Sequence, residues 1–400
     1  MPTTFLFVLN NFNDVDHMAP LMLRLLEKKT NIFVLCASDY DISSDPRICH
    51  FQQFHNFQLS RIPLLAKLQK SHSIITKVVR EFLFNLIFAS FWLRRHHISA
   101  CVFTWCTPRH KGFQTKLFLA AQRFKIPNVC LPHGQNIFLN LDVNHQLRSN
   151  YTLTGHWPDF SPRNEYDLYI VQTKHHRDTH IAWGMDPKKI EAWGSMRFTP
   201  SWIDHHSGLL GPYSKLVASQ ETKVKVVFFV PHWHYNVDCE DTIKLMKTIA
   251  EMDHVLLAIK GHTRGDAVEG SDYSDLENLK NVDPDANAAS PSLIAWADLV
   301  INFGSSIALE AIVTNKCVIN PAFLHTNRTV FDKSGAVYDA SNISDVVKLI
   351  EKACLGDLSL SDFEARQNLL CTEVFAGRQF YDPPTHYADA LIALCNNEGS

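Results

Sequence analysis

The residues of this chain best suited to chemistry stand directly after short apolar runs. After IPNVCL comes Pro132-His133-Gly134-Gln135-Asn136, a histidine just past a strand-like run and beside a glycine that lets a substrate come close to the backbone. Imidazole titrates near neutrality and can take a proton from a hydroxyl as that hydroxyl attacks. His133 is therefore a candidate base, with Gly134, Gln135 and Asn136 as candidate acceptor contacts. The same residues also fit a plain loop whose histidine bonds backbone groups. Past the first apolar run, FLFVLN, lies Asn10-Asn11-Phe12-Asn13-Asp14-Val15-Asp16-His17. Asn11 is a further acceptor contact, and Asp16 and His17 are alternative bases. Asp14 and Asp16, before the periodic residues Met18, Leu21, Met22 and Leu25, equally read as helix N-caps, the role favoured for Asp16.

The second half offers groups suited to a donor. Ser305 and Ser306, directly after DLVINF, would open a helix whose free N–H groups and positive dipole end suit a phosphate or diphosphate. Glu310, a turn further on, would reach ribose or sugar hydroxyls. The plain alternative is a serine N-cap with a first-turn glutamate. Lys260, His262, Thr263 and Arg264 end the run LLAIK and could neutralise a leaving nucleotide diphosphate without a metal. His232 and His234 end another run, VVFFVP. Their HxH spacing also fits a hydrolase-type metal site, but no HExxH or DxD accompanies it, so no metal is expected.

These residues need elements to carry them. Four hundred residues suit two α/β domains rather than one core. The net charge of −3 gives no overall field favouring nucleic acid. Ten cysteines without a CxxC pair, several inside apolar runs, read as free thiols of a reducing compartment. The N-terminus lacks a basic, cleavable leader pattern, and a cytoplasmic location is expected. The segment 77–97 has an apolar centre, Phe82 to Leu93, flanked by Lys77, Arg80, Arg94 and Arg95. That centre is shorter than the roughly 20 residues that span a bilayer. A buried helix is favoured, and the other reading is a peripheral helix on the inner face of the membrane.

Apolar runs of four to six residues alternate with amphipathic helices along both halves, which implies parallel sheets covered on both faces. Residues 135–165 show no period and read as a loop-rich insertion; Gly184 reads as a helix C-cap. Neither half contains GxGxxG or GxxxxGK[ST], which disfavours dinucleotide oxidoreductases and P-loop NTPases. The expected domains are 1–205, holding an acceptor, and 206–375, holding a donor, with 376–400 packing back toward the first. Two doubly wound, Rossmann-like α/β domains would then face a central cleft, with ligands past the strand ends.

PHGQN, VQTKHHRDTHIAWGMDPKKIEAWGSMRF, the strand-end KGH and ADLVINFGSSIALEAIVTNKCVINP together resemble the GT-B superfamily. The likeness is to CDP-glycerol glycerophosphotransferase-like and capsule or O-antigen polysaccharide transferases, and it spans roughly 120–375. The resemblance implies that His133 is the base or acceptor-site histidine, that Lys260 and His262 contact donor phosphates, and that Ser305, Ser306 and Glu310 belong to the nucleotide-binding helix. Asp298 would be structural. Thr263 stands where the family has proline, which leaves donor identity open. The implied activity is transfer of a sugar or polyol-phosphate group from a nucleotide-activated donor to a hydroxyl of a cell-surface glycan or lipid-linked acceptor, with no cofactor. A nucleotide-sugar epimerase shares the fold, but the carboxylates of its first domain are not evident beside His133. A metal-dependent hydrolase using His232 and His234, and a non-enzymatic binding module, are more distant alternatives.

Overall fold

The computed structural model describes residues 2–36, 40–61, 89–104, 108, 113–139, 145–216, 224–262, 268, 270–379 and 381–397. The chain divides into two compact units. Unit 1 comprises Met1–Gln135, Pro158–Trp202 and Thr372–Ser400, and unit 2 comprises Asn136–Trp157 and Ile203–Cys371.

Unit 1 is built on a sheet of seven strands: β1 (Thr4–Leu9), β2 (Asn31–Cys36), β3 (Phe57–Arg61), β4 (Ala100–Thr104), β5 (Asn128–Leu131), β6 (Leu168–Val171) and β7 (Ile190–Ala192). Their spatial order is β3-β2-β1-β4-β5-β6-β7, and every pairing is parallel. Parallel strands need apolar side chains on both faces because crossover helices cover both. β1 meets this need by alternation: Phe5, Phe7 and Leu9 enter one core cluster, and Leu6 and Val8 enter the other. Helices, numbered along the whole chain, cover the sheet: α1 (Phe12–Glu27), α2 (Pro46–Phe51), α3 (Ala89–Arg95), α4 (Phe113–Arg123) and, beyond a helix of unit 2, α6 (Lys174–Ala182). Gly184 has φ +102° two residues past α6, the left-handed conformation that ends a helix.

Unit 2 carries six parallel strands: β8 (Val224–Phe229), β9 (Val255–Lys260), β10 (Val282–Asp283), β11 (Leu299–Asn302), β12 (Cys317–Asn320) and β13 (Tyr338–Asp339). Their order is β10-β9-β8-β11-β12-β13. Its helices are α5 (His145–Thr154), α8 (Cys239–Ala250), α9 (Ser290–Trp296), α10 (Ile307–Val313) and α11 (Ile343–Cys354). Two more, α7 (Pro200–Leu209) and α12 (Phe363–Glu373), lie where the chain passes from one unit to the other. The last, α13 (Pro383–Asn397), packs on α1 within unit 1, and Lys28 pairs with Asp389 at 2.7 Å.

Several local expectations change. The N-cap of α1 is Asn11, whose side chain accepts the Asp14 N–H, so Asp16 lies inside the helix and caps nothing. Asn11 wins because the Asp14 carboxylate answers by accepting the Asn10 N–H at 2.6 Å, a reciprocal arrangement that satisfies two free donors. The aperiodic stretch 135–165 contains α5 and a short 3-10 turn at Ser161–Glu165. The chain around the expected boundary at 205/206 forms the helix α7. Of the segment 77–97, residues 77–88 lie outside the described residues. The rest forms α3, with Ala89, Trp92 and Leu93 buried in unit 1 and Arg94 over the Phe124 ring. Among the described residues no helix is long and apolar enough to cross a membrane.

Candidate functional site

In unit 1 the sheet order reverses direction between β1 and β4, where loops past the strand ends diverge and leave room for a ligand. His133 leaves the end of β5, the strand beside β4, and Asp14 lies in the first turn of the helix that follows β1. His133 Nδ1 sits 2.7 Å from Asp14 Oδ1. Asp14 is buried, and its other oxygen accepts the Asn10 N–H. A carboxylate accepting on both oxygens requires the hydrogen to be on Nδ1. His133 Nε2 is then left with its lone pair, on a ring whose side chain is 32% exposed. That is the arrangement of a general base with an orienting carboxylate.

The other two candidate bases are held differently. Asp16 is paired with Arg47 at 2.5 Å and with Arg197. Arg47 is itself buried and gripped by Asp45, through Nε at 2.8 Å and Nη2 at 2.6 Å. Two guanidiniums therefore occupy the Asp16 carboxylate. His17 is buried, and burial pushes it down to about 3, opposed by Asp16 and Asp14 and helped by Arg197 and by the neighbouring His133 imidazole. It stays neutral at pH 7. Of the three, His133 presents its ring to solvent.

The loop around His133 is braced. Gln172 donates to the Gly134 carbonyl at 2.5 Å, and Gln135 Nε2 lies 3.3 Å from both the Glu373 carbonyl and its Oε2. A Cβ on Gly134 would meet no atom within 4 Å, so this glycine borders open space. Asn136 opens the insertion that clusters with unit 2, and its Oδ1 accepts the Phe138 N–H. Asn11 is engaged as the α1 cap.

In unit 2 the sheet order reverses between β8 and β11. Past β8, the His232 ring stacks on Tyr235 (4.8 Å, 21°) and lies 5.2 Å from the rings of both His234 and His262. Lys260 ends β9, where its carbonyl accepts the Val230 N–H at 2.9 Å. Burial lowers its pKa, with Asp285 opposing. Past β11, Gly304 takes φ +66° and faces Pro231, which folds the chain back for Ser305 and Ser306. Ser306 caps α10 without a side-chain bond, while Ser305 Oγ accepts the Ile307 N–H at 3.4 Å. Glu310 is buried in α10. Asp298 accepts the Lys225 N–H at 2.9 Å and so joins β11 to the start of β8, a structural role. His232, Lys260, His262, Ser305 and Ser306 thus gather at the carboxyl edge of three neighbouring strands. Thr263 and Arg264 lie outside the described residues. Among the described residues no group of three or more His, Cys, Asp or Glu is arranged to hold a metal ion.

Three residues carry no assigned role in the sequence: Arg47, Arg197 and Glu373; Asp14 reads there as a helix cap, not as the partner of His133. Asp14 and His133 are 119 residues apart, and Gln135 and Glu373 are 238 apart, so no local pattern pairs them.

No protein-family profile matches the sequence, and no curated protein matches it. Solved structures do match in fold. A UDP-N-acetylglucosamine 2-epimerase superposes with a TM-score of 0.60 at 11% identity, over 100% of this chain and 98% of that one. The UDP-GlcNAc 2-epimerase of Neisseria meningitidis, solved with UDP-GlcNAc, gives 0.59 at 12% over 98% and 100%. CalG4, the calicheamicin glycosyltransferase, gives 0.50 at 13% over 98% of each chain. With two parallel Rossmann-like sheets of seven and six strands, the chain has the GT-B-like fold that these epimerases and glycosyltransferases share.

Proposed function

We propose that the protein is a metal-independent transferase that moves a sugar or polyol-phosphate group from a nucleotide-activated donor to a hydroxyl of a cell-surface glycan or lipid-linked acceptor. The observation that carries this is the His133–Asp14 pair, with its second ring nitrogen free to accept a proton. In this mechanism His133 Nε2 removes the acceptor proton as the hydroxyl oxygen attacks the activated centre. The nucleotide departs with the bonding electrons, and Asp14 stabilises the imidazolium that forms. A sugar would be transferred with inversion. Unit 2 would hold the donor: Lys260 and His262 at the phosphates, Ser305 and Ser306 beside them, Glu310 at the ribose, and His232 and His234 nearby, with Thr263 and Arg264 as further phosphate contacts. On the acceptor side, Asn11, Gly134 and Asn136 remain proposed contacts, Gln135 braces the loop that carries them, and Asp16 and His17 support the His133 site. The work would take place in the cytoplasm or on the inner membrane face.

The test is a thermal-shift screen of nucleoside mono- and diphosphate sugars and polyols, followed by turnover with the stabilising donor. His133→Ala should lower kcat by about 10²- to 10⁴-fold, the worth of a positioned base, with donor affinity nearly unchanged. A loss of donor affinity equal to the loss of rate would remove His133 from the role of base.

One observation favours a second reading, a nucleotide-sugar 2-epimerase. The epimerases superpose with TM-scores of 0.55–0.61, against 0.50 and 0.51 for the glycosyltransferases. Deuterium entering the sugar C2 from heavy water, with no acceptor present, would replace the transferase by the epimerase.

A further inference from the structure

Past β7, Trp193-Gly194-Ser195 is clasped by the returning C-terminal chain. Val374 accepts the Ser195 N–H at 2.8 Å, Tyr387 donates to the Gly194 carbonyl at 2.9 Å, and Tyr381 donates to the Trp193 carbonyl at 3.0 Å. Glu373, immediately before this clasp, is buried against Gln135, two residues from His133. The Gln135 amide nitrogen lies 3.3 Å from two Glu373 acceptors. Turning the amide over would set its oxygen against the Glu373 backbone carbonyl, which can only accept, so its orientation is fixed. The amide oxygen, Gln135 Oε1, is then buried with no donor. A buried acceptor without a donor is costly. A glutamate carboxylate cannot supply one, but a glutamic acid can.

We propose that Glu373 is a positioning residue that keeps its proton and donates it to Gln135 Oε1, closing an acid–amide pair that fixes the loop carrying His133. The pair is reciprocal: the amide N–H donates to one carboxyl oxygen, and the carboxyl O–H donates to the amide oxygen. Burial pushes Glu373 up to about 7, with the Gln135 bond opposing, so the acid form is available at neutral pH. On the packed elements the titratable or charged groups nearest in sequence are His133, Arg197, Arg366, Arg378, Tyr381 and Asp382. None of them is among the causes of that shift. Because the folded carboxyl titrates higher than a free glutamate, the pair's contribution is complete below about pH 4.3, the free value. It is lost as pH rises through about 7.

The proposal depends on the transferase reading only for its effect on turnover, so its first readouts need no substrate. Glu373→Gln supplies an amide that can donate to Gln135 Oε1 at every pH, and Glu373→Ala supplies nothing. The wild-type unfolding midpoint should fall as pH rises from about 4.3 to about 7 and level off above that, and Glu373→Gln should remove that fall. His133 ring resonances, followed by NMR, should stay in place in Glu373→Gln and move in Glu373→Ala. Where turnover is measured, Glu373→Ala should lose up to about 10²-fold in kcat with KM little changed, as for a misplaced group. Glu373→Gln should keep wild-type kcat and lose the alkaline limb of the pH profile. The proposal is overturned if Glu373→Gln behaves like Glu373→Ala, if the fall in stability toward pH 7 survives in Glu373→Gln, or if His133 resonances do not move in Glu373→Ala. Failure to find any transfer reaction would leave the first two measurements intact and count only against the transferase.

Discussion

Units 1 and 2 carry the same kind of parallel sheet and place chemistry-bearing residues past the carboxyl ends of their strands, but they hold those residues in different ways. In unit 1 the polar groups are locked by charge. Asp14 orients His133, and Asp16 lies between Arg47 and Arg197, with Asp45 completing the set. In unit 2 the cluster past β8 and β9 is built from rings laid against rings, with Lys260 half-buried beside them. An oriented carboxylate–imidazole pair suits moving one proton at one fixed place. A cationic, aromatic edge suits holding a flat, negatively charged molecule, because it offers ring faces and positive charge together.

The strongest way to break this contrast is Arg47→Ala. It would leave the Asp16 and Asp45 carboxylates in a site where Arg47 is 1% exposed. Removing one partner of a buried ion pair costs about 3–5 kcal/mol. Denaturant unfolding should therefore show the loss in unit 1, with the nucleotide binding proposed for unit 2 retained at low denaturant. An Arg47→Ala protein of unchanged stability would mean that the buried network contributes little to holding unit 1.

Gly194→Ala comes next. Gly194 has φ +82°, and a Cβ there would lie 2.3 Å from the Val374 carbonyl oxygen, a backbone atom that cannot rotate away. The expected cost is about 1–3 kcal/mol from backbone strain alone, read as a lowered unfolding midpoint. The C-terminal clasp should loosen with it, visible as faster amide exchange at Ser195, whose N–H bonds Val374.

The strand–helix alternation was legible because its cause is local. A parallel strand covered on both faces must be continuously apolar, as FLFVLN and VVFFVP are. The placement of His133 and Ser305 past strands followed from the same pattern. The partners of these residues were not legible. Asp14 read as a cap because a first-turn aspartate usually is one, and it does bond the Asn10 N–H, but its second oxygen serves a histidine from a distant strand. Asp16 was misread for the same reason: its role is set by Arg47 and Arg197, which only the fold brings near. α5 escaped notice because HQLRSNYTLT has no apolar stripe to signal a helix.

Asp14→Asn isolates what the unit 1 pair adds beyond the histidine itself. The amide can still accept from His133 Nδ1, but it carries no charge to stabilise the imidazolium, and its NH2 facing Asn10 N–H would set donor against donor. Losses from removing an orienting partner run at about 10- to 100-fold, and the expected fall is in kcat with little change in KM. Thermal stability should drop only by about 1 kcal/mol, the worth of a capping interaction. A rate loss accompanied by a matching loss of fold would reduce Asp14 to a helix cap.

The smallest effect separates the two units most cleanly. Lys260→Ala removes a cation from the edge of unit 2 while leaving the Asp14–His133 pair intact. A partly exposed lysine is screened by solvent, so the contribution to holding a diphosphate proposed for it is about 1 kcal/mol, roughly fivefold in Kd by calorimetry. The effect should shrink as salt rises, since screening weakens a charge–charge contact with a ligand. It should also grow with ligand charge, from nucleoside to monophosphate to diphosphate. Equal losses for all three ligands would mean that Lys260 only supports the packing of the His232 and His262 rings. The proposed distinction between a proton-handling unit and an anion-holding one would then lose Lys260 as its support.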